Sequence, residues 1–357
     1  MKPTPDRQEL TLCAFCPDLC LARCPVSLAS GDLTLSPWAK QSLLWRHLQG
    51  EPWGGADGRS TRPLFMCLGC LACQELCRHR VDVPSSLFAG RDLAHREAPE
   101  LRPRSPRASG AADRLRLLAP GHRWAEDTEA LLLVEGLPLD AGGEAWLREV
   151  FEALDVLGDE VVGVNADAVL ETGWRSWEAG DLPGAEAAAR RLHARLGRYR
   201  RVLAVSPEAA SFVRRGWPAW GLNRPEVLPL TDHLAAAADR LTPLRRAPRT
   251  AWHDPCHLAR HLGAAEAPRR LLAALLGDRL VELPRNRRDA VCCGGGGGME
   301  VTAPELCAAM AAELLTLFEE TGARRLATGC PRCQRTLEAA APGKVISLYR
   351  LIAEARP

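Results

Sequence analysis

Two adjacent cysteines, Cys292 and Cys293, are followed by five glycines, Gly294 to Gly298. Adjacent cysteines make a strained disulfide, because the peptide unit between them must distort to bring the sulfur atoms together. A glycine run stabilises neither a strand nor a helix, since each glycine loses the most backbone freedom on ordering. The pair and the run instead suit a polynuclear metal centre. Two thiolates from one turn reach it, and the missing Cβ atoms let the main chain approach closely.

Further thiols that suit the same centre lie on both sides of this pair. Cys256 stands 36 positions before Cys292, and the pair Cys330 and Cys333 begins 37 positions after Cys293. Five thiolates are one more than a tetrahedral zinc site needs, although the sequence leaves a four-iron centre and a zinc ion both open. We therefore predict that these five cysteines bind one metal centre.

Three other residues near these cysteines raise separate questions. His253 and His257 flank Cys256. Because histidine titrates near neutral pH, they can donate protons to a substrate, or they can hydrogen-bond cluster sulfur or the backbone. Cys307 lies among apolar residues and is expected to be a small buried hydrophobe, so we do not assign it as a ligand.

The first eighty residues contain two runs of four cysteines. The second run has the C-x2-C-x2-C-x3-C spacing of bacterial four-iron ferredoxins, in which the fourth cysteine serves the other cluster. The first run has one additional residue between its second and third cysteines. One [4Fe–4S] cluster is assigned to Cys24, Cys67, Cys70 and Cys73. The other is assigned to Cys13, Cys16, Cys20 and Cys77. A pair of zinc knuckles is the alternative, since zinc sites also combine C-x2-C pairs.

A helix is predicted between the two runs. Ser36 is a capping residue, Pro37 suits a first turn, and Gly50 ends the segment. Its apolar stripe would shield the clusters or simply close a small core. The stripe residues are Trp38, Leu44, Trp45 and Leu48. A segment rich in Pro, Arg and Ser then predicts a linker over residues 99–125.

Residues 126–357 alternate short apolar strands with amphipathic helices, which indicates α/β layers with parallel sheets. Strands are predicted at 130–134, 160–164, 201–205, 250–253, 279–283 and 325–328. The two halves, 126–245 and 246–357, align as a duplication. Where the second half has cysteines, the first has Leu137 (approximately), Glu171, Thr172, Ser206 and Ala209.

The composition favours a soluble, cytoplasmic protein. The chain of 357 residues carries a net charge of +2, and its 14 cysteines are grouped at the two ends rather than spread as in a disulfide scaffold. Its start lacks the apolar stretch of a signal peptide, and no run is long enough to span a membrane. Scattered arginines and an aromatic content of only 5% do not indicate a nucleic-acid partner.

Taken together, these motifs resemble the cysteine-rich (CCG) iron–sulfur proteins. That family includes the D subunit of heterodisulfide reductase, the iron–sulfur subunit of glycolate oxidase and the C subunit of anaerobic glycerol-3-phosphate dehydrogenase. The resemblance implies an α+β chain with a helical two-cluster ferredoxin-like domain at 1–98, followed by two CCG repeats. It implies that the cysteines of the second repeat bind a third iron–sulfur cluster, which is non-cubane in the reductases of the family. The first repeat departs from the family by lacking its cysteines, which counts against two-centre disulfide cleavage.

The leading hypothesis is an electron-transfer subunit of a cytoplasmic oxidoreductase complex. Electrons would pass between a partner, expected to be a flavoprotein or another redox subunit, and the CCG cluster by way of the two cubes. Any association with a membrane would run through that partner. A disulfide reductase with catalysis at the CCG cluster is the alternative, and a binding protein with purely structural metal is a third class. No catalytic residue is assigned.

Overall fold

The computed structural model describes residues 4–53, 61–97, 110–137, 141–223 and 226–356. The chain divides into two compact units, each built from separate stretches of sequence. The first unit comprises Met1–Pro106, Gly173–Glu186 and Val291–Leu314. The second comprises Arg107–Thr172, Ala187–Ala290 and Leu315–Pro357. The segments that follow Gly173 and Val291 therefore belong with the N-terminal cysteine runs and not with the sheets.

The first unit is helical. Its helices are α1 (Arg7–Ala14), α2 (Pro25–Ser30), α3 (Pro37–Leu48), α4 (Arg62–Phe65) and α5 (Val83–Glu97), joined by the later α8 (Trp174–Glu178) and α13 (Met299–Thr302). Short 3₁₀ turns at Leu19–Arg23 and Ala72–Glu75 lie inside the two cysteine runs. Tight turns of this kind bring cysteines that are three or four positions apart onto one side of the chain.

The helix predicted after Ser36 is confirmed as α3. The Ser36 hydroxyl accepts a hydrogen bond of 3.1 Å from the backbone N–H of Ala39, as an N-cap does. The buried face differs from the predicted apolar stripe, however. It is made by Pro37, Lys40, Gln41 and Leu44. A charged and a polar side chain are thus turned inward, and Lys40 lines a cavity with four thiols and donates to the Met66 carbonyl.

The second unit contains two parallel four-stranded sheets. The first has the order β2-β1-β3-β4. Its strands are β1 (Ala130–Leu133), β2 (Val162–Gly163), β3 (Arg201–Ala204) and β4 (Val227–Pro229). The elements around it are α6 (Ala111–Leu118), α7 (Ala141–Val156), α9 (Leu182–Leu196), α10 (Pro207–Arg215) and α11 (Leu230–Ala235). The buried residues of β1 and β3 form its core.

The second sheet repeats this arrangement with the order β6-β5-β7-β8. Its strands are β5 (Thr250–His253), β6 (Leu280–Glu282), β7 (Arg325–Thr328) and β8 (Val345–Ser347). The remaining helices are α12 (Glu266–Leu276), α14 (Pro304–Glu320), α15 (Pro331–Ala340) and α16 (Leu348–Ala353). Mixed helices and parallel sheets agree with the predicted fold class.

All six predicted strands are present, but β4 and β8 were not predicted. Each is only three residues long and lies at the edge of its sheet. β4 also ends in Pro229, a residue that the edge of a sheet tolerates because it does not need every backbone donor. β2 and β6 are equally short edge strands and were predicted, so length is not the reason. β4 and β8 instead run directly into α11 and α16, so no loop separates each strand from the helix that follows.

Part of the segment predicted as a linker is ordered structure. Residues 111–118 form α6, and the side chain of Arg123 is buried against the first sheet. Arg123 donates hydrogen bonds to the Asp155 carboxylate (3.1 Å) and to the Val162 carbonyl (3.0 Å). The stretch richest in Pro and Arg, 98–109, lies outside the described residues.

None of the helices in the described parts of the chain combines the length and the apolar character that a membrane span requires.

A buried ion network fixes the end of β5. Arg269 on α12 forms paired hydrogen bonds with Asp254 (2.8 and 2.7 Å) and with Glu282 on β6 (2.7 and 2.8 Å). Asp254 also accepts from the Trp252 indole at 3.0 Å and from the Arg287 backbone N–H at 2.6 Å. Burial raises the pKa of Asp254, but its bonds to Arg269 outweigh burial and hold that pKa below its ordinary value.

We predict that Asp254→Asn lowers the free energy of unfolding at pH 7 by roughly 3 kcal/mol, because it removes one charge from a buried pair. Since the folded pKa of Asp254 is depressed, its contribution is complete above the unfolded value of about 3.9. It is lost as the pH falls through the folded pKa. Denaturant unfolding of both proteins at pH 7 and below pH 4 should show the difference shrinking.

Asp278→Asn is the control, since the Asp278 side chain is 92% exposed. It should change stability by no more than about 0.5 kcal/mol. An equal loss in the two variants, or a difference for Asp254→Asn that does not depend on pH, would contradict this account of the network.

Candidate metal centres

Four cysteines of the first unit line one cavity. They come from the end of the first run and from three positions of the second run: Cys24, Cys67, Cys70 and Cys73. Apolar side chains and prolines form the rest of the wall, including Leu68, Leu71 and Pro37. This is the set that the sequence assigns to one cluster. The structure brings these four residues together around one space that excludes most water.

Burial dominates the chemistry of these thiols. It raises the pKa of Cys73 well above the ordinary value, and the neighbouring Cys70, Cys24 and Cys67 raise it further. Burial also raises the pKa of Cys67, whereas the positive charges of Lys40 and Arg91 oppose that shift. The thiols of Cys67 and Cys73 are therefore neutral in the absence of metal, and metal binding must displace their protons. A soft metal with thiolate ligands is the group that this donor set fits.

Lys40 is a buried cation in the wall of the same cavity. Only 1% of it is exposed, and its Nζ donates to the carbonyl oxygen of Met66, next to Cys67. A buried lysine needs a compensating negative group, and a cluster held by thiolates supplies one. The sequence analysis missed this residue, because a single lysine on an amphipathic helix normally faces water. The only available signal was its position, three residues after Pro37 and four before Leu44.

The remaining four cysteines of the two runs line a second cavity. These are Cys13, Cys16, Cys20 and Cys77. Burial raises the pKa of Cys13 to about 12, with further contributions from Cys77 and Cys16. Burial likewise raises the pKa of Cys20, whose thiol donates to Asp18 at 3.3 Å. Cys73 borders this cavity as well as the first one, so the two cavities adjoin.

The glycine run packs against the second cysteine run, within the first unit. A Cβ atom on Gly297 would lie 1.9 Å from the Cys67 carbonyl oxygen, and one on Gly296 would lie 2.3 Å from that of Leu68. Gly294, with φ +92°, lies close against Cys307 on α14. We expected the glycines to let the chain close around its own centre. Two of them instead permit contact with the backbone that holds Cys67.

Arg91 ties this arrangement together. Its guanidinium donates to the carbonyls of Leu64 (2.9 Å), Cys67 (2.9 Å) and Gly297 (3.3 Å), and also to that of Glu178. Burial lowers the pKa of Arg91 to about 10, so it remains charged at neutral pH. The Glu178 carboxylate accepts from the Gly297 N–H at 2.6 Å. The three stretches of the first unit thus meet at one side chain.

The cysteines of the CCG set are divided between the units. Cys292 and Cys293 are buried in the first unit. Cys256, Cys330 and Cys333 are in the second, just beyond the carboxyl ends of β5 and β7. These strands are neighbours, and the chain leaves them toward opposite edges of the sheet. Such a topological switch point is where α/β sheets place their ligands.

Two histidines near this switch point also suit a bound metal centre. His253, at the end of β5, is 1% exposed, and neither ring nitrogen has a hydrogen-bond partner within the described ranges. A buried imidazole without partners is costly, so a bound group that accepts or supplies a hydrogen bond suits this position. The His257 Nδ1 lies 2.7 Å from the Ser211 hydroxyl of α10.

No three or more His, Cys, Asp or Glu side chains in the described stretches converge as ligands of a single metal ion. The two N-terminal quartets each line a cavity, and the three CCG cysteines of the second unit follow the carboxyl ends of the two central strands, β5 and β7. Cys307 is buried on α14, beside Gly294.

Comparison with known proteins gives a family match over residues 250–338, to the model described as CCG, cysteine-rich domain. The chain is 38% identical over 115 residues to the D subunit of dihydromethanophenazine:CoB–CoM heterodisulfide reductase from Methanosarcina barkeri, which covers 31% of this chain and 28% of that relative. It is 24% identical over 348 residues to the B subunit of fumarate reductase (CoM/CoB) from Methanothermobacter marburgensis, covering 92% of this chain and 68% of that relative.

A third relative is FadF of Bacillus subtilis, named a probable iron–sulfur-binding oxidoreductase, with 29% identity over 141 residues that cover 38% of this chain and 19% of FadF. The chain spans less than a third of the length of the heterodisulfide reductase subunits that it matches. The resemblance to CCG-type iron–sulfur proteins is confirmed by these matches. Two of these relatives are named as reductase subunits and the third as a probable iron–sulfur-binding oxidoreductase.

We predict that Gly297→Ala destabilises the first unit by about 3 kcal/mol or more, because the new methyl group overlaps the Cys67 carbonyl and the left-handed φ adds strain. Gly298→Ala is a matched control, since Gly298 has φ +77° but no atom within 4 Å of the position that an added Cβ would take. It should cost only about 1–2 kcal/mol. Equal losses on thermal or denaturant unfolding would show that backbone strain, and not this close approach, explains the glycine.

Proposed function

We propose that this CCG-domain chain is an electron-transfer iron–sulfur subunit of an oxidoreductase complex. It would exchange electrons with a partner redox subunit, expected to be a flavoprotein, at one end and serve the CCG centre at the other. The observation that carries the proposal is the pair of adjoining cavities, each lined by one predicted quartet of cysteines, with Cys73 of the first quartet also lining the second cavity.

The two quartets suit the loading of two [4Fe–4S] clusters. Bound clusters would each accept and release single electrons with little rearrangement. The chain's own part is to hold four thiolates in place, exclude water with apolar side chains and supply positive charge. Lys40 and Arg91 place that charge beside Cys67. Because the cavities adjoin, both sites can belong to one electron-transfer route.

A third iron–sulfur centre is proposed for the CCG cysteines, Cys256, Cys292, Cys293, Cys330 and Cys333. The family match covers all five of these positions. The first half offers Glu171, Thr172, Ser206 and Ala209 at the matching positions, so we propose one CCG centre and not two. A single terminal centre is sufficient for relaying electrons to or from a partner.

Reduction of a disulfide at the CCG centre is the second candidate. It is favoured by the similarity to a heterodisulfide reductase subunit and by His253 and His257, which flank Cys256 and are able to supply protons. Turnover of purified protein with a chemical reductant and a panel of disulfides, without any partner, separates the two. The electron-transfer proposal expects no turnover.

Oxygen-free purification should yield about twelve iron atoms and matching sulfide per chain, because three four-iron centres are proposed. Cys73→Ser should reduce the cluster content of the N-terminal sites, and Cys330→Ser should remove about four iron atoms from the CCG centre. Iron, sulfide and zinc analysis measures both. About eight iron atoms with one zinc would mean that the CCG site is not a cluster.

Lys40→Met should lower the reduction potential of the nearer cluster by roughly 50–100 mV, since one charge several ångströms away is worth roughly 2 kcal/mol at an effective dielectric of about 20. Redox titration followed by EPR measures the shift at unchanged iron content. Lys344→Met is the control, because the Lys344 side chain is 51% exposed. An unchanged reduction potential in Lys40→Met would show that the charge of Lys40 does not influence the cluster.

A further inference from the structure

In the second unit, the half without CCG cysteines (126–245) places a carboxylate next to a cysteine of the other half (246–357). The thiol of Cys330 lies 3.2 Å from one carboxylate oxygen of Glu208 and 3.5 Å from the other. Cys330 is 1% exposed and Glu208 is 4% exposed. Both residues are in the second unit. We propose that Glu208 is an oxygen ligand of the CCG metal centre. This inference rests on the proposed function, in which Cys330 binds that centre.

Glu208 lies at a position of structural correspondence between the halves. It is on the first turn of α10, directly beyond β3, as Cys330 and α15 lie directly beyond β7. Ser206 and Ala209 stand where the second half has Cys330 and Cys333. Helix α10, which has no cysteine at either position, therefore carries a carboxylate between them. Carboxylate oxygens are established ligands of iron in proteins.

Polar contacts at the start of α10 hold the Glu208 side chain. The Ser206 hydroxyl donates to its Oε2 at 3.2 Å, and the N-terminus of α10 directs its positive end at the carboxylate. The first turn is held in place because the Ser206 hydroxyl also accepts from the Ala209 N–H at 3.2 Å. Within the described residues, no ion pair joins Glu208 to a lysine or an arginine.

Metal binding removes the hydrogen bond between Cys330 and Glu208. In the metal-free site the Cys330 thiol donates a hydrogen bond to Glu208, and it must lose that proton to become a ligand. Glu208 would then lose this hydrogen-bond donor in a buried place, with the Cys330 sulfur about 3 Å away. A metal ion that binds both groups replaces this donor.

The helix α10 is also anchored to the other cysteine segment of the second unit. Ser211 donates to the Glu208 backbone carbonyl at 2.9 Å and lies 2.7 Å from His257 Nδ1. A hydroxyl has one proton, so Ser211 accepts from His257 while it donates to Glu208. His257 follows Cys256 directly. The helix that carries Glu208 therefore contacts the turn that carries Cys256, while the carboxylate itself contacts Cys330.

The test is pulsed EPR on protein with ¹³C in its glutamate side-chain carboxylates, prepared without oxygen and with the CCG centre in its paramagnetic redox state. We expect a ¹³C hyperfine coupling to that centre in the unaltered protein and in Glu320→Gln, a control at an exposed glutamate of the same unit. Glu208→Gln should lose the coupling. A centre without this coupling in the unaltered protein, or a coupling that survives in Glu208→Gln, would overturn the proposal.

A second measurement separates ligation from a charge effect. Glu208→Ala should change the EPR spectrum of the CCG centre, and added acetate should restore it, because a free carboxylate can occupy the vacated position. Chloride at equal ionic strength should not restore it, and rescue by both salts would contradict ligation. The iron count shows whether the proposed CCG cluster or only the role of Glu208 is wrong. About eight iron atoms per unaltered chain would end the proposed CCG cluster itself, whereas about twelve without the ¹³C coupling would end only the role of Glu208.

Discussion

One buried guanidinium holds the first unit together. Arg91 has five N–H donors in a fixed plane, and it uses them on backbone carbonyls that come from three distant stretches of the sequence. Its ring neighbours Phe88 and Phe65 cover the cation, with the guanidinium carbon 4.3 and 5.4 Å from their centroids. Without such a charge, the carbonyls that crowd around Cys67 would be buried without donors. The glycines at 296 and 297 matter for the same reason, because they let the third stretch come within reach of Arg91.

The two groups of cysteines have opposite electrostatic settings. Around Cys67 the protein places two buried cations, Lys40 and Arg91, which offset the negative charge of thiolates. Beside Cys330 it places the carboxylate of Glu208. Positive surroundings raise a reduction potential and negative surroundings lower it, since reduction adds negative charge. The chain is thus arranged to give its proposed centres unequal potentials, as directional electron transfer requires.

Local signals in the sequence were sufficient for most of the framework. Ser36 and Pro37 gave the start of α3, and six strands followed from short apolar runs. The cysteine spacing predicted two quartets, and each quartet lines a cavity, with Cys73 shared by both; their assignment to two clusters stays a prediction. What the sequence could not give depends on contacts between distant positions. Nothing local distinguishes Lys40, Arg91 or Glu208 from a surface charge, and the partner of the glycine run is more than two hundred positions away.

The discontinuity of the first unit has a consequence for synthesis of the chain. Its eight ferredoxin-type cysteines leave the ribosome well before the stretch Val291–Leu314, which packs against Cys67, has been made. Contacts over such a long separation form late in folding. A nascent chain therefore exposes thiols that bind metal or oxidise well before the interior that protects them exists. Insertion of the proposed clusters would therefore follow synthesis of Val291–Leu314, and a chain truncated before Val291 would keep every ferredoxin-type cysteine and still lack the segment that packs against Cys67.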